Sequence, residues 1–420
     1  MSSDVAPSSG AAARERMAQW ARRLDAPTTT YYLLLAVTGA LVLFGLVMVL
    51  SASMVQSLHD TDAGSAYSIA RTQAVFAVLG GVALLIASRF PTGLWKRLAI
   101  PALIGALFLQ LLVFTPLGVS VLGNRNWIRL GPVTIQPSEL IKLGLVLTGG
   151  LMLGNKRRLL DRFGHILFPF LVPVVALSLG LVLVGHDLGT VLILAAIVGG
   201  MMFAAGVPGK YFASAFALAA AVVTVFVVTS SNRLSRLDVW LGRDTDPTGA
   251  YRQPLHGRYA LADGGWFGLG LGASREKWSY LSEPHNDFIF AIIGEELGLL
   301  GTLVVLALFC ALAFACFRIA ARTGDNFVRI ASAGIMCWIV VQAMINIGSV
   351  IGLLPVIGVP LPLVSSGGSS LITTMLALGV LISFARAEPG CRDALAARSS
   401  VVRRSLAVVP ARRSRAGRRR

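Results

Sequence analysis

Long apolar stretches, separated by short polar ones, follow one another from about residue 31 to residue 385. A helix needs roughly 20 apolar residues to cross about 30 Å of hydrocarbon, and it satisfies its own backbone hydrogen bonds there. The stretches have the length of such helices rather than of barrel strands. We therefore predict about ten membrane-spanning helices. They lie at about 31–54, 69–88, 98–117, 136–154, 166–185, 187–205, 211–229, 286–317, 330–352 and 364–385.

Composition supports the same fold class. Of the 420 residues, 55% are hydrophobic and 14% are charged, which leaves too little polar surface for a water-soluble globule. We predict an all-α integral membrane protein, a polytopic helix bundle with a long outer loop, 230–286, between spans seven and eight. This loop is the longest gap between predicted spans, so we expect no soluble domain of core-forming size.

The distribution of basic residues predicts the orientation. Lys and Arg are concentrated in the short loops on the N-terminal side of the membrane, whereas acids nearly balance them in the outer loop. Both termini are therefore expected in the cytoplasm. The chain divides into a basic N-terminal tail (1–30), a membrane domain (31–385) and an Arg-rich C-terminal tail (386–420). The tails are expected to contact anionic lipid and not nucleic acid.

Two opposite charges lie at the start of the fourth span, in QPSELIK from Gln136. Ionisable groups inside spans are costly and are candidates for function. Glu139 and Lys142 are three residues apart, so they share one helical face and can neutralise one another. A structural ion pair and a polar substrate cavity lined by this pair both remain open.

A second polar position separates the fifth and sixth spans, in HDLGT from His186. Asp187 precedes a predicted helix, where a carboxylate accepts hydrogen bonds from free backbone N–H groups. The residues therefore favour a capping role and leave a functional one open.

The run SEPHNDFIF, from Ser282 to Phe290, leads from the outer loop into the eighth span. Asp287 falls in the first turn of the predicted helix, where the dipole favours the ionised carboxylate. Glu283 and His285 lie beside it in sequence. A charged base at this depth could meet a lipid-linked substrate whose polar head lies just above the bilayer. Capping and catalysis are equally compatible with this position.

Prolines and glycines are too dense for a regular helix between Gly352 and Ser370. Irregular backbone at membrane depth is tolerated only inside protein or along a cavity, so we expect a re-entrant or broken element. Its backbone and hydroxyl groups could donate to a phosphate. The candidate donors are Ser365, Ser366, Gly367 and Gly368.

A glycine-rich stretch, GGWFGLGLG from Gly264, lies in the outer loop. It is not a dinucleotide fingerprint, because no βαβ unit surrounds it. Close backbone packing or a flexible gating loop are the alternatives. Arg258 and Lys277, on either side of it, are candidates to contact an anionic head group.

At these residues the sequence resembles the SEDS family (shape, elongation, division and sporulation) of FtsW, RodA and SpoVE, from about Tyr31 to Pro389. It is most similar to the division-type FtsW branch of actinobacteria. The motifs are QPSELIK from Gln136, HDLGT from His186, the glycine-rich stretch from Gly264, HNDFIFAIIGEELG from His285 and GLLPVIGVPLPLVSSGGSS from Gly352. Four positions depart from the family pattern: His186, His256, Ser282 and Ile357.

The resemblance implies a peptidoglycan glycosyltransferase that polymerises lipid II on the outer face of the cytoplasmic membrane during cell division. It implies Asp287 as the catalytic base or a metal ligand, and it places Glu139, Lys142 and Asp187 at the site. A divalent cation, Mg²⁺ or Mn²⁺, is the implied cofactor. A class B penicillin-binding transpeptidase and other divisome membrane proteins are the implied partners, at the division septum.

Glycosyl transfer of this kind needs a base for the acceptor hydroxyl and a sink for the charge of the leaving pyrophosphate. Two other functions remain open. Intramembrane charges and broken segments are also typical of a transporter that flips a lipid-linked precursor, and a non-catalytic division scaffold is the third hypothesis.

Overall fold

The computed structural model describes residues 26–59, 65–121, 124–131, 133–156, 159–160, 163–278 and 280–397. Most of these residues are helical. The α-helices are α1 (Thr29–His59), α2 (Ser68–Ala87), α3 (Thr92–Leu112), α4 (Pro137–Asn155), α5 (Phe163–Ile166), α6 (Leu177–Val184), α7 (Leu188–Ala205), α8 (Lys210–Val228), α9 (Ser231–Trp240), α10 (Arg252–Gly264), α11 (Ile289–Arg322), α12 (Asn326–Val350) and α13 (Gly368–Arg386). The strands are β1 (Gly118–Val121), β2 (Asn124–Leu130) and β3 (Val133–Ile135). Most of both tails lies outside the described residues.

Eight of the described helices are long and apolar enough to cross a membrane, namely α1, α2, α3, α7, α8, α11, α12 and α13. The polytopic helical membrane fold is therefore confirmed. Helix α4, which carries the charges of QPSELIK, and the interrupted stretch from α5 to α6 occupy the positions of the fourth and fifth predicted spans. The count of ten spans stays a prediction.

The fifth predicted span is interrupted by ten residues of π-helix, Leu167–Ala176, between α5 and α6. Pro173 lies inside this stretch. Proline has no N–H to donate and its ring clashes with the preceding turn, so the α-helical ladder cannot continue through it unchanged. A wider i→i+5 turn accommodates the break. Helices α6 and α7 are then separated by a turn in which His186 has a positive φ of 64°.

A small antiparallel sheet lies between α3 and α4, where the sequence predicted only a loop. Strand β2 pairs with β1 on one side and with β3 on the other. Along β2, Asn126 and Ile128 are buried while Arg129 is exposed, which is the alternation expected of a strand with one covered face. The backbone N–H of Arg125 donates to the oxygen of Gly185 at 3.1 Å, so the sheet is joined to the turn between α6 and α7.

The core of the bundle is formed by α4, α12 and α13, which pack against α3, α7, α11 and α2. Close packing here uses small residues. A Cβ at Gly144 would lie 2.8 Å from the Cα of Leu103, and one at Gly334 would lie 2.9 Å from Met201. At the other extreme, no residue of the described helix α8 is buried. Most of the surface of helix α8 therefore faces away from the rest of the bundle.

The outer segment between α8 and α11 contains helices α9 and α10, followed by the glycine-rich stretch. This stretch packs onto a break in α11 at Gly298, whose φ is 68°. The N–H of Leu269 donates to the backbone oxygen of Glu295 at 2.9 Å, and that of Leu299 donates to the backbone oxygen of Gly265 at 2.9 Å. A Cβ at Gly268 would lie 2.2 Å from the oxygen of Glu296. Close backbone packing is therefore the physical reason for Gly264 and Gly268, whereas the other three glycines have a positive φ and open space around them.

Candidate functional site

Asp287 lies in the turn that leads into α11, two residues before the helix begins at Ile289. The prediction that it occupies the first helical turn, with its ionised form favoured by the dipole, is wrong. Burial, and to a smaller extent the nearby charge of Glu283, raise the pKa of Asp287 to about 6 against the opposing effect of Arg236. The carboxyl group therefore titrates near neutral pH, in the range suited to a general base.

Arg236 of α9 is a site residue that was not singled out in the sequence. Its Nη1 atom donates to the oxygen of Val356 at 3.2 Å. A Cβ at Gly358 would lie 3.4 Å from the Oδ2 atom of Asp287 and 3.9 Å from the Nη1 atom of Arg236. The guanidinium group and the carboxylate thus approach the same glycine, whose φ is 80°. Arg233 lies three residues earlier, on the same face of the helix as Arg236. This spacing of two arginines was the sequence signal that could have indicated a basic face.

A cavity of about 300 Å³ opens beside Arg236. Three arginines line it, Arg236, Arg252 and Arg258. Trp240 and Pro355 supply apolar surface to the same cavity. Guanidinium groups bind phosphate and pyrophosphate oxygens in bidentate geometry, so this cavity, the arginine cavity, suits an anionic head group.

A second cavity, also about 300 Å³, is lined in part by Ser282. Its lining includes Gln56, Lys277, Tyr280 and Glu283. Arg252 and Ser282 line both cavities, so the two spaces adjoin. Neutral and charged hydrogen-bonding groups of this kind suit a sugar. We call it the mixed cavity.

Glu283 and His285 flank the carboxylate of Asp287 in the chain. Glu283 adopts a positive φ of 55° and its side chain is half exposed. The Nε2 atom of His285 lies 3.7 Å from the Oε2 atom of Glu283. Burial lowers the pKa of His285, and Glu283 opposes this. At neutral pH the imidazole is therefore largely uncharged.

The proline-rich segment, residues 351–367, packs against the turn that carries Asp287. The hydroxyl of Ser365 donates to the backbone oxygen of Asn286 at 2.6 Å, and the N–H of Ser366 donates to the backbone oxygen of His285 at 2.9 Å. Gln73 of α2 accepts from the N–H of Gly367 at 3.2 Å. These donors are therefore used within the protein, and their predicted contact with a phosphate stays a prediction. Gly368 begins α13, where a Cβ would lie 2.6 Å from the ring of Phe76.

Glu139 and Lys142 form the ion pair that their spacing predicted, with 2.8 Å between Oε1 and Nζ. Both side chains are almost fully buried. The Nζ atom of Lys142 also donates to Gln342 at 3.0 Å and lies 4.7 Å from the centre of the Trp338 ring. Gln342 in turn donates to the oxygen of Pro360 at 3.1 Å. The pair is thus connected through α12 to the proline-rich segment.

Asp187 caps α7. Its carboxylate accepts from the backbone N–H of Thr190 at 2.9 Å and from the Thr190 hydroxyl at 2.8 Å. Gln136 also donates to it at 3.1 Å. The capping interpretation is therefore confirmed, and a contact with substrate stays a prediction.

Lys277 lies in a buried ion pair with Glu296, at 3.1 Å. Its Nζ atom also donates to the oxygen of Gly272 at 2.7 Å, and Ser51 donates to Glu296 at 2.6 Å. The ammonium group thus ties the outer loop to α11. It also lines the mixed cavity, so its predicted contact with a head group stays a prediction.

A divalent cation can be tested against the donors present. Among the residues that the structure describes, no group of three His, Cys, Asp or Glu side chains is arranged to hold a metal. Mg²⁺ usually binds through one or two carboxylates together with substrate phosphates and water. Asp287, with the carboxylate of Glu283 near enough to shift its pKa, fits that pattern. The described residues therefore fit a cation that also binds a substrate pyrophosphate. They do not fit a cation whose ligands all come from protein side chains.

Comparison with known proteins gives a consistent result. Residues 31–389 match the family model of FtsW, RodA and SpoVE, described as "Cell cycle protein". The probable peptidoglycan glycosyltransferase FtsW of Mycobacterium tuberculosis is 38% identical over 395 residues, covering 94% of this chain and 74% of that protein. Stage V sporulation protein E of Bacillus subtilis is 35% identical over 361 residues, covering 86% of this chain and 98% of that protein.

Solved structures share the architecture. A chain of a peptidoglycan synthase complex, described as coordinating polymerization and crosslinking, superposes with a TM-score of 0.68 at 27% identity, covering 85% of this chain and 98% of that one. The rod shape determining protein RodA of Thermus thermophilus superposes with a TM-score of 0.62 at 26% identity, covering 85% and 96%.

Proposed function

Because this chain belongs to the FtsW, RodA and SpoVE family of cell cycle proteins, we propose that it is a peptidoglycan glycosyltransferase that polymerises lipid II. The observation that carries the proposal is the pairing of Asp287, a carboxyl group with a pKa near 6, with Arg236, which acts on that pKa and lines the arginine cavity together with Arg252 and Arg258. A base and a sink for negative charge are the two requirements of the reaction.

In the proposed reaction, the carboxylate of Asp287 takes the proton of a sugar hydroxyl on the acceptor. The hydroxyl oxygen forms a bond to the anomeric carbon of the donor as the bond from that carbon to the pyrophosphate breaks. The prenyl pyrophosphate leaves with the electron pair. Arg236, Arg252 and Arg258 offset its charge in the arginine cavity, and the acceptor sugar occupies the mixed cavity.

In the other role that the resemblance implies for Asp287, that of a metal ligand, Mg²⁺ or Mn²⁺ held by Asp287 and Glu283 would supply positive charge to the leaving pyrophosphate. Removing free divalent cations with EDTA should then abolish polymerisation, and adding back Mg²⁺ or Mn²⁺ should restore it. Polymerisation that is indifferent to EDTA would remove the cation from the proposal.

The proposal includes an orientation and a location. Both tails lie in the cytoplasm, and Asp287 lies at the outer face, where the head group of lipid II can reach it. Basic residues of the tails contact anionic lipid. The protein works at the division septum with a class B penicillin-binding transpeptidase and other divisome membrane proteins. The solved peptidoglycan synthase complex supports such a pairing of polymerisation with crosslinking.

The decisive experiment uses the full chain, purified with its transpeptidase partner and supplied with lipid II and Mg²⁺. Asp287→Asn should lower polymer formation by about 10²- to 10⁴-fold, the usual contribution of a general base. Asp246→Asn is the matched control, because this exposed carboxylate bonds to Thr248 within its own loop. Equal polymer from the parent and from Asp287→Asn would exclude Asp287 as the base.

The same preparation distinguishes the two alternatives. A parent protein that makes no polymer but moves labelled lipid II across vesicles is a transporter. A parent with neither activity that still supports division in cells when Asp287 is replaced is a scaffold. The near-complete burial and the pairing of Glu139 and Lys142 disfavour a transport path through them.

A further inference from the structure

Helix α12 carries three polar side chains at four-residue intervals, Trp338, Gln342 and Asn346. This spacing places them on one face of the helix. All three are buried, and Asn346 is 1% exposed. Polar groups within an apolar bundle are costly unless they are bonded, so the partners of this face show what it does.

The side-chain amide of Asn346 bonds to two separate segments. Its Nδ2 atom donates to the backbone oxygen of Asp287 at 2.8 Å and to that of Val359 at 2.8 Å. An asparagine amide has two N–H donors, so both are in use. One bond holds the turn that carries the carboxylate, and the other holds the proline-rich segment.

The bond from Asn346 to Val359 also affects the position of the Asp287 carboxylate. Val359 directly follows Gly358, the glycine that both the Oδ2 atom of Asp287 and the guanidinium group of Arg236 approach. One turn earlier in α12, Gln342 holds the next carbonyl, that of Pro360, at 3.1 Å. Two successive carbonyls of the proline-rich segment are thus fixed to α12, and Gly358 is held next to Asp287.

We propose that Asn346 is a positioning residue for glycosyl transfer, which fixes Asp287 against Gly358 and Arg236 through two backbone carbonyls. This inference rests on the proposed function. Asn346 does not line either described cavity and so is not assigned a contact with substrate. Its effect is on the placement of the base, and a misplacement of about 1 Å can cost about a hundredfold in rate.

The test compares Asn346→Ala with the parent in the polymerisation assay, at saturating and at limiting lipid II. Per folded protein, kcat should fall by about 10- to 100-fold while KM stays unchanged, since the cavities keep their lining. Thermal unfolding in detergent gives the folded fraction. A structural role alone would lower the folded fraction and leave kcat per folded molecule at the parent value, which would overturn the inference.

Two further variants keep the test decisive. Ser332→Ala is the control on the same helix, because Ser332 is fully buried about four turns earlier and its hydroxyl has no partner among the described residues. It should leave kcat unchanged. Asn346→Asp keeps the volume but removes the paired N–H donors, so kcat should fall here too, even if Asn346→Ala does not fold. Parent-like kcat in folded Asn346→Asp would show that only volume matters and would refute the inference.

Failure of this inference is distinguishable from failure of the proposed function. A parent that makes no polymer refutes the function. A parent that polymerises normally, with Asn346→Ala and Asn346→Asp equally active, leaves the function intact and refutes the role of Asn346 alone.

Discussion

Gln136 donates its side-chain amide to the carboxylate of Asp187 at 3.1 Å, and so joins the start of α4 to the start of α7. The backbone N–H of Gln136 donates to Ser369 of α13 at 3.3 Å. Residues of the QPSELIK and HDLGT motifs, 51 positions apart, thus meet at one point, together with Ser369 near the end of the motif that begins at Gly352. The roles of Asp187 as a cap and as a link between helices can be separated from chemistry by substitution.

Asp187→Ala should destabilise the protein by about 1 kcal/mol, because α7 loses its cap. Asp187→Asn should keep most of this stability, since its amide oxygen can still accept from Thr190. If capping is the whole role of Asp187, both variants polymerise lipid II at near the parent rate per folded protein, as measured by thermal unfolding in detergent and by product gels. A stable Asp187→Asn variant without activity would give Asp187 a chemical role.

The pH dependence of polymerisation should reflect Asp287. The base must be ionised to accept a proton, and its pKa is raised to about 6. Activity, measured as kcat/KM for lipid II, should therefore be lost as the pH falls through about 6 and should fall about tenfold per unit below it. An acid limb near pH 4, the region of an unperturbed carboxyl group, would contradict the assignment.

The charges around Asp287 predict shifts of that limb in opposite directions. Arg236 lowers the pKa of Asp287, so Arg236→Gln should move the acid limb to higher pH. Glu283 raises the pKa, so Glu283→Gln should move the limb to lower pH. Full pH profiles of the two variants, recorded side by side, check both signs. Shifts in the same direction would show that another group titrates.

Lys277 offers a test of ion pairing against substrate binding. Lys277→Met leaves Glu296 buried without its counter-ion and should cost about 3–5 kcal/mol of stability. The double variant Lys277→Met, Glu296→Gln removes both charges and should recover most of it. If pairing is the main role of Lys277, the double variant has the parent KM for lipid II. A restored fold with a strongly raised KM would assign Lys277 to the head group as well.

Hydropathy was sufficient to predict the class of fold, because membrane helices must be long and apolar whatever their neighbours are. It was insufficient for the sheet of β1, β2 and β3. These strands have 4, 7 and 3 residues, and β2 carries Arg125 and Arg129, so a hydropathy search passes over them. The alternation of buried and exposed residues in β2 is a feature of the structure, and its sequence NRNWIRL does not alternate polar and apolar residues. The π-helical stretch had a sequence signal, the proline at 173.

The sequence was sufficient to predict most of the ionisable residues of the candidate site. It was insufficient to predict the hydrogen bonds that join them to other segments. Asp287, Glu139 and Asp187 stand out because charge is rare within or beside apolar helices. Arg236 does not, since it is one of many basic residues near the outer loop. The bond from Asn346 to Asp287 joins positions 59 residues apart, and only the packing of α11 against α12 brings them together.

The hydrogen bonds between Gln73 and the proline-rich segment have a consequence for biosynthesis. Its side-chain amide donates to the backbone oxygen of Ser365, 292 residues further along the chain. At ribosomal rates of 5–20 residues per second, this partner emerges roughly 15 to 60 seconds after Gln73. During that interval α2 carries a buried amide without its final partner in an apolar setting. The nascent protein therefore needs a temporary polar neighbour for this helix, from water, lipid head groups or the insertion machinery, until the last span arrives.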